Sequence, residues 1–330
     1  MSKVRWGVLS TARIATDKVV PGIGRSSLGE VVAIASRSDG KAKAAAAALG
    51  IPRWHGSYEA LLDDPDVDAV YIPLPNHLHM AWTIRALQAG KHVLCEKPLA
   101  LTAADAERMA EAAGAAGRLL MEAFMYRHHP SWIALRELVG SGRLGRLAVV
   151  DSWFSYFNDD PADIRNVLAF GGGALYDIGC YSVNLSRMLF GAEPRGVSAS
   201  IVRDPASGVD ILTSGTLTFA DGVASFTCAT RVETDQRVHV YGTHGRAEVE
   251  IPFNIPPTLP TRVFVTAGGD PPVAPATETL EFAPADAYAC EADAFAAAVL
   301  EGRPAPVPPG DAIANLRVIE RLFAAGAAAG

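Results

Sequence analysis

The stretch His92-Val93-Leu94-Cys95-Glu96-Lys97-Pro98, followed by Leu99, decides the fold. A short run of strand formers ends abruptly in a carboxylate, an amine and a proline, so two charges fall at the tip of a buried strand. In an open parallel sheet the carboxyl ends of the strands border the ligand crevice, and Lys97 would project into it with Glu96 beside it. A surface strand end carrying a Glu/Lys pair is the plainer alternative.

Working outward, residues 1–124 alternate β-branched runs with alanine-rich helical segments, the pattern of a doubly wound parallel α/β sheet. Strands are expected at 4–9, 31–36, 53–55, 69–74, 92–96 and 118–124. Helical runs at 41–49 and 79–89 stop at Gly50 and Gly90, and Thr102 with Asp105 forms a capping box for the next helix. The first turn reads Gly7-Val8-Leu9-Ser10-Thr11-Ala12-Arg13-Ile14, where a dinucleotide fingerprint belongs. Ser10 and Ala12 stand where glycine is usual. They are small enough for a pyrophosphate to reach the helix N-terminus, and a plain tight turn is the alternative. The second strand ends in Ser36-Arg37-Ser38, with no acidic residue to accept the ribose 2′-hydroxyl of NAD, so NADP is favoured. Asp39 is the other candidate for that acidic reader, and more simply an N-cap. In Pro73-Leu74-Pro75-Asn76-His77-Leu78-His79, Asn76 caps the next helix or binds a ribose, and Leu74 and His79 line the cofactor. His77 and His79 have no third ligand at coordinating spacing, and no metal is expected.

Beyond residue 124 the pattern changes. One helix at 131–139 precedes long alternating strands at 147–157, 197–203, 209–219, 223–231, 237–241 and 247–251, with hairpin turns at 221–222 and 242–245. Segments within 252–276 read as loops, and helices at 286–301 and 310–325 close the chain. This predicts an α+β domain over 125–330 built on a mostly antiparallel sheet, with an open, threonine- and aromatic-bearing face for subunit contact. Gly171-Gly172-Gly173 leads into a helix that sets Asp177, Tyr181 and Asn184 on one stripe and Ile178, Leu185 and Leu189 on the other. A polar stripe is ordinarily a solvated face. The glycines argue for the close approach of a ligand or of another backbone. If Lys97 and Tyr181 meet, an ammonium about 4 Å from the phenolate contributes roughly 4 kcal/mol and draws the tyrosine from its ordinary value near 10 toward neutrality, where acid–base work is efficient.

A formal charge of −7 with no basic block excludes nucleic acid or an anionic membrane as the main partner. No run of about eighteen apolar residues occurs. The start, with Lys3 and Arg5 running straight into an apolar strand, leaves no room for a signal peptide, so the expected location is the cytoplasm. Cys95, Cys180, Cys228 and Cys290 form no CxxC and read as reduced, buried thiols.

With Glu96-Lys97-Pro98 and the stretch from Gly172 to Tyr181 both in view, the whole chain resembles the glucose-fructose oxidoreductase/inositol dehydrogenase (Gfo/Idh/MocA) family. The resemblance implies an N-terminal Rossmann domain for NAD(P) and a C-terminal domain that presents a sugar-like alcohol to the nicotinamide. It implies Lys97, Tyr181 and Asp177 as the catalytic group, with Asp177 on a substrate hydroxyl, Tyr181 as acid/base, and Tyr126 beside the substrate. It assigns Asn76 and His79 near the nicotinamide ribose, and Arg165 and Arg127 to cofactor or structural positions. Many members carry histidine where this chain has Tyr181. Tyrosine there is similar to the branch of glucose-fructose oxidoreductase, dimeric dihydrodiol dehydrogenase and NADP-dependent aldose dehydrogenases, with exchangeable NADP and a homodimer or homotetramer expected. An aldopyranose is the expected substrate. Rival readings are a trans-dihydrodiol dehydrogenase, favoured by an apolar pocket of Trp153, Phe154 or Phe157, a keto-sugar reductase, and an NADP-sensing regulator without chemistry.

Overall fold

Six parallel strands form the first sheet: β1 (Val4–Leu9), β2 (Gly29–Ala35), β3 (Arg53–His55), β4 (Ala69–Ile72), β5 (His92–Glu96) and β6 (Leu120–Ala123), in the order β3-β2-β1-β4-β5-β6. The order reverses between β1 and β4, the switch point at which such sheets open a ligand crevice. The structure, a computed structural model, describes residues 3–268 and 276–328. It divides into two units, Met1–His128 with Asp286–Ile313 and His129–Ala285 with Ala314–Gly330.

In the first unit, α1 (Val20–Arg25) continues a π-helical stretch, Ala15–Val19, and α2 (Asp39–Leu49), α4 (Asn76–Gln88) and α5 (Ala103–Ala116) follow their strands. A short α3 (Tyr58–Leu62) was not expected. Gly50, Gly90 and Gly117 take the positive φ that ends α2, α4 and α5. Two caps differ from expectation. Ser38, still extended, accepts the Lys41 N–H, and Asp39 is already helical. Asn76 is the first helical residue, and Pro75 holds the cap position. Pro73, which has no N–H to give a ladder, leaves β4 two residues short of its expected end.

The larger correction concerns α8 (Ala287–Glu301), which the sequence reading placed in the second domain. It packs on α1, β1 and β2. Phe295 meets Trp6 with ring centroids 5.4 Å apart, both fully buried. The Asp293 carboxylate accepts the Ser26 hydroxyl at 2.5 Å and the Leu28 N–H at 3.0 Å. Arg25 pairs with Asp286. Helical periodicity shows that 287–301 has an apolar face but not which sheet that face covers, whereas Trp6 on β1 requires a cover.

The second unit carries eight strands: β7 (Leu147–Phe157), β8 (Gly196–Arg203), β9 (Asp210–Thr218), β10 (Val223–Ala229), β11 (Arg231–Gly242), β12 (Gly245–Val249), β13 (Thr261–Ala267) and β14 (Thr277–Phe282). Their order is β14-β13-β12-β11-β7-β10-β9-β8, antiparallel throughout except for the parallel pair β7/β10. β13 lies inside the segment expected as loops. Its flanking prolines hid an alternation in which Thr261, Val263 and Val265 are buried. The part of that loop expectation at 269–275 lies outside the described residues. Helices α6 (Pro130–Gly140) and α7 (Cys180–Phe190) contact β13 and β7. α9 (Pro309–Ala328) passes from the first unit to the second between Ile313 and Ala314. Alternation along β7 buries Val150, Ser152 and Phe154 and exposes Val149 and Phe157. Val149 pairs with the exposed Val223 and Tyr241, so one face of the sheet presents apolar side chains to its surroundings.

Phe295→Ala should cost about 3–5 kcal/mol, the usual loss for a fully buried aromatic. Urea denaturation reads it, and an unchanged midpoint would show that α8 is not part of the first unit's core.

Candidate active site

At the tip of β5, Glu96 is fixed from below. Its Oε1 accepts the Tyr71 hydroxyl at 2.5 Å and its Oε2 the Lys97 N–H at 3.2 Å. Burial, and then the charge of Glu96, pushes the Tyr71 pKa well up, so that hydroxyl remains a donor. The Lys97–Pro98 peptide is cis. The next residue, Leu99, donates its N–H to Glu122 Oε1 at 2.7 Å, and that carboxyl is itself buried. Lys97 is half-buried above this polar seat.

His79 is where the structure corrects an expected cofactor contact. It has no exposed surface; Nδ1 lies 2.9 Å from the Pro98 carbonyl and Nε2 2.7 Å from that of Leu74. Burial lowers its pKa while the two carbonyls work the other way. It ties the β4–α4 turn to the Lys97–Pro98 segment and offers no atom to a ribose. Tyr126, expected beside substrate, is also wholly buried, edge-on to Phe124 with centroids 6.0 Å apart. Arg127 pairs with Asp311 at 2.7 Å, a structural position.

The turn from β1 into the first helix fits a dinucleotide. Ser10, Thr11, Ala12 and Ile14 are partly exposed and Arg13 is exposed. Ser10 Oγ accepts the Ala12 N–H at 3.1 Å. Ser10 has φ 147°, a conformation that side chains rarely take and that glycine takes freely. The backbone therefore has the glycine geometry of the fingerprint although the residue is serine. At the end of β2 the Ser36 hydroxyl is turned inward, accepting the Ser38 N–H at 3.3 Å, and Arg37 is exposed.

The second constellation lies on the stretch Leu175–Gly179, a π-helical opening that runs into α7. Asp177 Oδ2 accepts the Tyr156 hydroxyl at 2.5 Å and Arg165 Nε at 3.2 Å. One turn on, the Tyr181 ring is held between Phe154 at 5.7 Å and Phe253 at 5.1 Å, centroid to centroid. Arg165, expected at the cofactor, is thus brought to Asp177 and Asp163. Asn184 is fully buried, so the stripe is not a solvated face. The glycine run serves the chain itself: a Cβ on Gly172 would stand 2.4 Å from the Arg165 carbonyl oxygen, and one on Gly173 2.0 Å from Asp210 Oδ1. Of the three aromatics expected around the substrate, only Phe154 reaches Tyr181. Trp153 and Phe157 alternate to the sheet's other face. The sequence reading missed Tyr156, Phe253 and Asp210. Tyr156 was recoverable, since it shares the period-2 face of Phe154; Phe253 and Asp210 carry no such local signal.

Among the described residues, no three or more His, Cys, Asp or Glu side chains gather as a metal site, and no helix is long and apolar enough to cross a membrane. A parallel sheet with a dinucleotide turn, followed by a lysine-tipped strand and an Asp/Tyr helix, defines an NAD(P)-dependent dehydrogenase. Residues 4–124 match the sequence profile of an oxidoreductase family with an NAD-binding Rossmann fold, and residues 132–248 that of the GFO/IDH/MocA C-terminal domain. The chain belongs to the GFO/IDH/MocA family. It is 40% identical to a D-xylose 1-dehydrogenase (NADP(+)) of Haloferax volcanii, over 96% of each chain. Its fold is similar to that of an aldose-aldose oxidoreductase from Caulobacter crescentus complexed with glycerol, with TM-score 0.90, 32% identity and 99% of this chain and 98% of that one covered. It is equally similar to a 3-ketoreductase from Actinomadura kijaniata in complex with NADP and TDP-benzene, with TM-score 0.90, 32% identity and 98% of each chain covered.

Ser10→Gly should stabilise the fold by about 1 kcal/mol, strain relief outweighing a small entropic loss. Thermal unfolding measures it, and a loss of stability would show that the bond to Ala12 dominates.

Proposed function

We propose that the protein is an NADP-dependent dehydrogenase of aldoses that oxidises the anomeric hydroxyl of a pyranose such as D-xylose or D-glucose to the lactone. The observation that carries this reading is the Asp177 carboxylate, held by Tyr156 and Arg165 one helical turn before Tyr181. A polyhydroxylated ring needs such an acceptor for one hydroxyl while another loses its proton. A bound nicotinamide supplies the hydride acceptor at C4. Tyr181 takes the C1 hydroxyl proton as the C1–H pair leaves and the carbonyl forms. Lys97, at the tip of β5, is the proposed catalytic amine of the first unit. The 4–124 region binds the dinucleotide through the Ser10–Ile14 turn, Leu74 and Asn76, and exposed Arg37 receives the 2′-phosphate of NADP. The names of the xylose dehydrogenase and aldose oxidoreductase relatives support the aldose, and the NADP complex of the ketoreductase supports NADP.

A second reading draws on Phe154 and Phe253. Their rings flank Tyr181 with apolar surface that would suit an aromatic dihydrodiol. Assays of NADPH formation with separate pools of aldoses, inositols and dihydrodiols, each with NADP and with NAD, decide between them. The aldose pool with NADP should respond, and Tyr181→Phe should lower its kcat by at least about 100-fold with NADPH affinity nearly unchanged. A response confined to dihydrodiols would replace the aldose. Silence from every pool alongside NADPH binding would leave the keto-sugar reductase or the regulator.

For the open sheet face, the proposed occupant is a second copy of the chain, because Val149, Val223 and Tyr241 present contiguous apolar surface. Light scattering should show a dimer or larger. Val149→Glu with Tyr241→Glu should give a monomer, and an unchanged mass would place the contact elsewhere.

A further inference from the structure

The segment that carries Asp177 and Tyr181 begins without a cap of its own. Neither Ala174, which precedes the π-helical opening, nor Gly179, which precedes α7, makes a side-chain cap bond. An uncapped helix start leaves N–H groups to be satisfied from elsewhere. Here the partner comes from the sheet. Asp210, the first residue of β9 and 1% exposed, accepts the Leu175 N–H on Oδ2 at 2.7 Å and the Thr213 hydroxyl on the same oxygen at 3.0 Å. Its other oxygen occupies the space where a side chain on Gly173 would begin. One buried carboxylate therefore binds the first residue of the helical segment and fills the space beside the last glycine of the run. Asp177 follows Leu175 by two residues and Tyr181 by six.

We infer that Asp210 is a positioning residue for the proposed dehydrogenation, setting through the Leu175 N–H where the Asp177–Tyr181 segment sits. An anion at a helix N-terminus is favoured by the dipole and by charge-assisted bonding, so the ionised carboxylate holds the segment and the neutral acid loosens it. This rests on the assignment of Tyr181 made above. Burial raises the Asp210 pKa to about 6. The hydrogen bonds from Leu175 and Thr213 and the charge of Arg203 on β8 oppose the rise. From β10 it faces the Cys228 thiol, whose own pKa is pushed up by burial and then by the charge of Asp210. The sign of the linkage separates the functional role from a stabilising one. The folded carboxyl binds its proton more tightly than the unfolded one, whose pKa is about 3.9. Its ionisation thus weakens the fold as pH rises between about 4 and 6.

The experiment compares wild type with Asp210→Asn and Asp210→Ala, reading kcat against pH, KM, thermal stability, and hydrogen exchange over residues 172–182 with NADPH bound. In wild type kcat should fall on the acid side with a midpoint near 6. Asp210→Asn keeps the acceptor and loses the titration. Neutral at every pH like the protonated acid, the variant should show the lowered kcat of acid-side wild type throughout, with no midpoint near 6 and no loss of stability at pH 7. Asp210→Ala should lose about 10- to 100-fold in kcat at every pH, with faster exchange over 172–182 and unchanged NADPH affinity. An Asp210→Asn profile that retains the wild-type acid limb overturns the inference. So does wild-type exchange in Asp210→Ala. If Asp210→Ala does not fold, the Asn pH profile decides alone. If wild type turns over no alcohol at all, the aldose reading fails, and exchange against pH in wild type and Asp210→Asn still tests Asp210.

Discussion

A carboxylate taken out of water must be given its hydrogen bonds, and both units meet that requirement with a backbone N–H beside a proposed site residue. In the first, Glu122 on β6 receives the Leu99 N–H, two residues past Lys97. In the second, Asp210 on β9 receives the Leu175 N–H, two residues before Asp177. Each bond ties a loop or helix start, which would otherwise follow its own local preferences, to a strand that the core holds still. The proposed site residues therefore inherit the rigidity of the sheets although they stand outside them.

The same economy explains why β7 matters more than its place in the sheet suggests. Residues two apart on a strand stand about 6.8 Å apart on one face, and residues four apart on a helix rise about 6 Å. Phe154 and Tyr156 on β7 can therefore face Tyr181 and Asp177 in order, one supplying an apolar wall and the other a hydroxyl donor. Burial, and then the charge of Asp177, holds the Tyr156 pKa above its usual value, and Asp177 raises that of Arg165. Both groups stay in their donating forms across the range in which an enzyme works.

What the sequence revealed, and what it hid, follows from the range of the interactions involved. The parallel sheet, the strand that ends at Glu96, the glycine C-caps and the Asp177–Tyr181 spacing are local, and residue types within one or two turns settle them. The placement of α8 is not local: an apolar face at 287–301 is compatible with either sheet, and only the need to cover Trp6 decides. His79 looked like a ligand because imidazole suits many roles, yet complete burial between two carbonyls keeps both its nitrogens from a ligand. The glycines at 172 and 173 were legible as points of close approach. What approaches them, the Arg165 carbonyl and Asp210, lies 7 and 37 residues away in the chain and has no sequence signature.

The return of α8 to the first sheet also sets a timetable. Phe295, the ring that covers Trp6, is made nearly 290 residues after it. At translation rates of about 5–20 residues per second, that gap is roughly 15–60 s. Throughout it β1 and β2 lack the helix that covers them, while the whole second sheet is synthesised. β1 and β2 are made before the second sheet yet covered after it, and the nascent chain must keep an incomplete apolar surface from other chains until α8 arrives.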